Sequence, residues 1–329
     1  MESGRTGRSV CRGDFYRVPG VGDSPWQPGP AEVIAVALVG AGFGFGVLYV
    51  DWPFPDDATA FTSTGEYGLW LFLLCAMTAL WAVALLPLAV SLRIVWRFGE
   101  GNWGRVIAST VSLAVVLLLI AVGSRFVSTS FPEINYPFPA HGAKLMVIAG
   151  IGSAIAIVGG LGMALVDAGL TQVARDDLSS EAARDTAIPH LFLLREQLER
   201  LLAIEGAILG AAILQVAALR NAVLAYGETP EAEPTSFPPQ YVLIYGAVFS
   251  ILLALLWAPI YSLLIAAGAR LRDAATKRAE NESWIDWHER RKTFEDLVGL
   301  QTTATASFRS GVAILTPLAS GLLGLLFDA

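Results

Sequence analysis

Charge is scarce in this sequence. Only 16% of its 329 residues are Asp, Glu, Lys or Arg, against about 25% in an ordinary soluble domain. There is also no basic surplus, with 22 Lys and Arg against 29 Asp and Glu, so a nucleic-acid-binding surface is excluded. Cysteine is limited to Cys11 and Cys75, one in the N-terminal tail and one inside an apolar stretch. They form neither an intrachain pair nor a Cys-x-x-Cys metal motif. The three histidines, His141, His190 and His288, fall in separate regions, none with a second ligand at metal spacing. A metalloprotease His-Glu-x-x-His, a phosphate loop and a Gly-x-Ser-x-Gly elbow are all missing. No catalytic residue, metal site or cofactor is expected. A cleavable leader is not expected either, because some 30 polar, Gly- and Pro-rich residues precede the first apolar stretch.

What the chain has instead is apolar length. Hydrophobic residues make up 54% of it, gathered into runs long enough to cross about 30 Å of hydrocarbon. Six spans are expected, at 31–50, 69–92, 106–123, 145–166, 201–219 and 241–268. The expected fold is therefore an all-α polytopic transmembrane helix bundle with a cytoplasmic N-terminus. Orientation follows from the basic residues. With residues 1–30, 93–105, 167–200 and 269–329 inside, 19 of the 22 Lys and Arg lie there, and only Arg125, Lys144 and Arg220 lie outside. Such a bias in short loops sets topology.

The flanking regions complete the organisation. Residues 1–30 form a basic tail whose Arg5, Arg8, Arg12 and Arg17 fix orientation or touch anionic lipid. Residues 31–268 form the bundle, including a cytoplasmic helical extension at 187–200. Residues 269–329 form a cytoplasmic helical module. Inside that module, Ser283 to Asp286 suits a capping box, and Trp287, Phe294, Leu297 and Val298 share an apolar face. That face suits the inner leaflet or the extended fifth helix equally. The loops expected outside carry Trp52-Pro53-Phe54-Pro55, Tyr136-Pro137-Phe138-Pro139 and Phe237-Pro238-Pro239. Proline makes these segments stiff, and their aromatics suit the headgroup level. The last apolar stretch, Gly311–Phe327, is short for a span and contains Pro317. The expectation is a re-entrant or packed helix that leaves the C-terminus cytoplasmic. Its face of Ala313, Thr316, Ser320 and Gly324 suits a partner helix.

Two patterns point to working parts. From Asp185 or Thr186, with Pro189 in the first turn, a helix is expected to run unbroken into the fifth span. Leu191, Leu194, Leu198 and Leu201 give it a short heptad seam, either packed within the chain or zipped to identical helices. The same span alone carries deep polar groups, Glu205 and Gln215. They are candidate pore-lining residues, against the plainer reading of a snorkelling carboxylate and an interhelical amide. Rows of small residues mark close helix packing: Gly152, Ala156, Gly160 and Ala164 on the fourth span, Gly206 and Gly210 on the fifth. Gly40-Ala-Gly42-Phe-Gly44-Phe-Gly46 superficially resembles a dinucleotide loop, but lies within an apolar span, where glycine serves packing.

The functional expectation is a non-enzymatic membrane protein of a bacterial plasma membrane. First comes an oligomeric channel or pore gated through its cytoplasmic helices. A permease is the alternative, either a secondary transporter or the membrane subunit of an ATP-driven one. A membrane scaffold or regulator comes third. Expected partners are the lipid bilayer, further copies of the chain and a cytoplasmic protein.

Overall fold

In the computed structural model the described residues are 28–50, 61–129, 141–227, 237–278, 280–298 and 304–326. The basic tail before residue 28 and the aromatic–proline segments at 52–55 and 136–139 lie outside them. Among the described residues every regular element is a helix. These are α1 (Pro30–Tyr49), α2 (Gly65–Val95), α3 (Trp103–Thr129), α4 (His141–Arg175), α5 (Glu181–Gly227), α6 (Gln240–Ala275), α7 (Trp284–Val298) and α8 (Ala304–Leu326). A single 3-10 turn, Trp96–Gly99, follows α2, and Gly101 at φ 82° turns the chain into α3. α1, α2, α4, α5 and α6 are long and apolar enough to cross a membrane. α3 and α8 have shorter apolar stretches, Trp103–Leu118 and Ser310–Leu325.

Side-chain contacts fix the direction of each helix. Gly40 of α1 lies against Ala79 and Ala82 of α2, Gly44 against Thr78, and Tyr49 meets Tyr67. α1 and α2 are therefore antiparallel. Trp81 and Leu92 of α2 lie over Gly152 and Gly162 of α4, so those two run parallel. Leu113 over Gly160 and the Arg105–Asp167 pair set α3 against α4. Gly162 and Gly169 of α4 meet Leu201 and Leu194 of α5, which runs the other way. One end of the bundle, the near end, thus gathers the start of α1, α3, α5 and α8. The far end gathers the start of α2, α4 and α6.

The centre of this arrangement is α5. It is 47 residues long, or about 70 Å at 1.5 Å per residue. It packs on α2, α4, α6 and α8. It begins five or six residues earlier than its sequence suggests, because Ser180, not Asp185 or Thr186, supplies the cap by accepting from the Ala183 N–H at 3.2 Å. Pro189 consequently lies inside the helix rather than in its first turn.

α8 sets the last wall. Ala313 covers Gly206, Thr316 and Ser320 cover Gly210, and Gly324 meets Ala217. Eleven residues of α8 therefore keep step with eleven of α5, in the same direction. On its other side, Pro317 and Leu318 press on Gly246 of α6, and Gly321 on Val242. The face of Ala313, Thr316, Ser320 and Gly324 is a packing face, and the helix lies alongside α5 over most of its apolar length. Dispersion at close backbone approach holds such an interface, since lipid is as apolar as the helices.

At the near end α6 stops at Ala275, where the Thr276 hydroxyl donates to the Arg272 carbonyl. α7 then docks on the end of α6. The Trp287 indole donates to the Thr276 carbonyl at 2.8 Å, and Arg272 pairs with Glu295 at 2.6 Å. Ser283 caps α7 through the Ile285 N–H. At the far end, the buried Lys144 ammonium donates to the Leu48 carbonyl at 2.9 Å. Arg220, also buried, donates to the Phe237 carbonyl at 2.7 Å. Each cation satisfies backbone acceptors near a helix terminus.

Candidate functional site

Glu205 is 4% exposed, in the middle of the helix bundle. Its surroundings follow from the sequence around it. On α4 the pair Gly159-Gly160 removes two side chains at the crossing, and the Glu205 carboxyl occupies the space a Cβ on Gly159 would need. Gly160 does the same for Leu113 of α3. The residue is thus seated by absence of bulk on α4, not by a complementary charge.

Beside the carboxyl is a cavity of about 20 Å³, room for one water molecule. Leu113 and Leu117 of α3, Ala156, Gly160 and Met163 of α4, Leu209 of α5, and Leu252, Leu253 and Leu256 of α6 line it together with Glu205. Glu205 is the sole ionisable residue in that wall, and its Oε1 has no hydrogen-bond partner among the described residues. Counting along α4, Gly159 is eight residues from Asp167 and fifteen from Lys144. The carboxyl therefore lies about 12 Å from the near-end ion pair and about 22 Å from the far-end lysine. Burying an unpaired ionisable group at such a depth is costly, which is why such groups are so often functional.

Gln215 is 6% exposed and its Nε2 also has no partner among the described residues. It is ten residues, about 15 Å, further along α5 and does not line the Glu205 cavity. Glu205 and Gln215 are thus both buried, in separate places; Gln197, 1% exposed, and Arg220 are buried on the same helix. Leu191, Leu194, Leu198 and Leu201 are all at most 2% exposed. Leu194 and Phe98 both lie on Gly169, and Leu201 on Gly162, all within this chain. Gly152 seats Trp81, whose indole donates to the Ile208 carbonyl at 3.3 Å, while Ala156 and Ala164 are buried beside it on α4. Gly206 and Gly210 receive α8.

The roles of Gly159 in the site, and of Lys144 and Arg220 at the far end of the bundle, are not evident from sequence patterns. Gly159 falls off the four-residue row that includes Gly160, although the glycine pair itself is a visible signal. Lys144 and Arg220 read as loop charges; each is a lone cation at the border of a long apolar run. The near end adds a titratable contact outside the apolar stretch. The His190 ring meets Phe98 edge-on at 5.5 Å. Burial, and then the Arg97 charge, pull its pKa below the ordinary 6.5, with Asp176 opposing. Among the described residues no group of three or more His, Cys, Asp or Glu is placed to hold a metal.

Fold and site together define an all-helical protein whose apolar helices are compatible with a lipid bilayer. No family model, curated protein or solved structure matches the chain.

Proposed function

We propose that this chain is a non-enzymatic membrane permease whose path runs within one bundle, beside α5. The observation that carries it is Glu205: one unpaired carboxyl, beside a water-sized cavity whose wall is otherwise apolar. A scaffold gains nothing from such a group, whereas a carrier needs a cation-responsive group at depth. Enclosure of α5 by α2, α4, α6 and α8 favours a path that opens by helix movement over a standing pore at a symmetry axis.

The membrane placement belongs to the same proposal. The near end is cytoplasmic, since it collects 19 of the 22 Lys and Arg. α8 runs in step with α5 from Gly206 to Ala217, so we read it as a seventh crossing, with the C-terminus outside. Residues 311–329 contain no Lys or Arg, so the charge bias is identical for six crossings and for seven. A bacterial plasma membrane suits the short loops.

An oligomeric pore gated through the cytoplasmic part of α5 is the second reading. It is favoured by Gln215, which, like Gln197 on the same helix, is buried with an atom that has no partner among the described residues. Reconstitution separates the two. The permease reading expects saturable counterflow of some member of a solute panel (sugars, amino acids, organic amines, organic acids) and no unitary currents in planar bilayers. Unitary ohmic currents that Gln215→Leu alters, at equal incorporation, overturn it in favour of the pore.

A further inference from the structure

We propose that the cavity at Glu205 is a proton site, and that the proton is the ion this protein couples to its cycle. The coupling half of that statement rests on the permease reading; the proton site itself does not. Chemical elimination leads to it. A buried carboxyl without a partner must bind a cation, a hydrogen-bond donor or a proton. A metal cation needs several oxygen ligands, and the wall supplies leucine, alanine and methionine side chains and Gly160 around one carboxyl. The cavity has room for about one water molecule, too little for an organic ammonium with a carbon skeleton of several atoms. What remains is a proton on the carboxyl itself, with at most one water beside it.

The neighbours leave this assignment intact. The residues that α3, α4 and α6 contribute to the wall are all apolar. The nearest charges on α3 and α4 are Arg105 and Asp167, paired with each other at 2.7 Å. On α2 and α8, which also flank α5, the charged residue adjoining this stretch among the described side chains is Arg93, which is exposed. On α5 itself the nearest cation, Arg200, is paired with Glu196 at 3.2 Å, and on α6 Arg270 donates to the Asp176 carbonyl while Arg272 pairs with Glu295, so each of these cations is engaged elsewhere.

Release follows from the same geometry. Leu113 and Leu117 line the cavity from α3, whose main packing partner is α4. Displacing α3 admits water, and the O–H bond of the carboxyl then breaks: carboxylic acid plus water gives carboxylate plus hydronium. No other bond changes and no electron moves. Returning α3 favours the reverse transfer, because its apolar wall solvates a carboxylate poorly. The proton count on Glu205 and the position of α3 are thus linked.

Infrared spectroscopy of the full-length protein in lipid tests this directly, with the proton as the only ligand. The wild type at neutral pH is expected to show a protonated-carboxyl C=O band that shifts on exchange into D₂O. Glu205→Gln should lose that one band, and Glu205→Asp should keep it at an altered frequency. The aspartate variant also guards against a glutamine variant that folds poorly. A band that is identical in wild type and both variants between about pH 5 and 9, or no band at all, overturns the proton site. Counterflow indifferent to an imposed pH gradient, with the band present, overturns the coupling alone.

Discussion

Replacing Gly206 with alanine is the sharpest test of how α8 is held. A Cβ built there lies 2.5 Å from the Ala313 carbonyl oxygen and 3.2 Å from its carbon. Both atoms are backbone, so no rotamer change relieves the clash. Contact distances of about 3.5 Å require α8 to retreat by about 1 Å. Retreat also loosens Thr316 and Ser320 from Gly210, one turn away. Overpacking of this kind costs about 1–3 kcal/mol, while exchanging glycine for alanine within a helix returns up to about 1 kcal/mol. The net expectation is a loss of about 1–2 kcal/mol. Gly150→Ala on α4 is the control, because a Cβ there meets nothing within 4 Å; it should be neutral or slightly stabilising. Thermal unfolding in a mild detergent measures both, and limited proteolysis reports release of α8 in particular. A Gly206→Ala protein as stable as the wild type, with α8 equally protected, would refute this packing of α8 on α5.

Three further outcomes follow from the same contacts. With Cys11 and Cys75 changed to serine, a cysteine in place of Ala329 should react with a membrane-impermeant maleimide added outside intact cells; labelling only after permeabilisation sinks the seventh crossing. Leu194→Ala removes a fully buried side chain seated on Gly169, so stability should fall by about 2–5 kcal/mol with oligomeric state unchanged; the opposite pattern would make the leucine seam an intersubunit contact. The depressed pKa of His190 means that the unfolded chain binds its proton first, just below pH 6.5, so stability should decline on acidification through that window. His190→Gln should flatten that part of the pH profile, and an unchanged profile would show that this histidine is not responsible.

Fold class is legible in the sequence because hydropathy and helix length are local properties of the chain. The long runs form α1, α2 and α4 to α6, and the small-residue faces of α4, α5 and α8 form contacts. The seam leucines announce burial, but whether a copy or the same chain covers a helix is not encoded in its own periodicity. Here Gly169 and Gly162 of α4 cover it, more than twenty residues away in sequence. Glu205 can be picked out as a deep carboxyl, whereas its lack of a partner cannot, since that depends on what α3, α4 and α6 bring to the same level. The capping of α5 by Ser180 is hidden for a simpler reason: the polar stretch around it offers several Ser, Asp and Thr residues as competing caps.

Pro317 explains why the last helix reads as a poor span and packs as a good one. A proline at that position cannot donate to the carbonyl four residues back, which belongs to Ala313. In an isolated helix within lipid, that orphaned acceptor would argue against crossing. In the bundle, the Ala313 carbonyl is the group that faces Gly206, where the absent side chain allows the α5 backbone to approach as a weak C–H donor. The next residue, Leu318, gives its N–H to the hydroxyl of Ser250 on α6 at 3.2 Å. The Pro317 carbonyl in turn lies over Gly246. Every irregularity that the proline introduces is thus met by a glycine or serine on the two helices alongside. A hydropathy window weighs α8 alone, but its fitness for the membrane interior is a property of α5, α6 and α8 together. The same holds for Glu205, whose surroundings are supplied by α3, α4 and α6 rather than by its own helix.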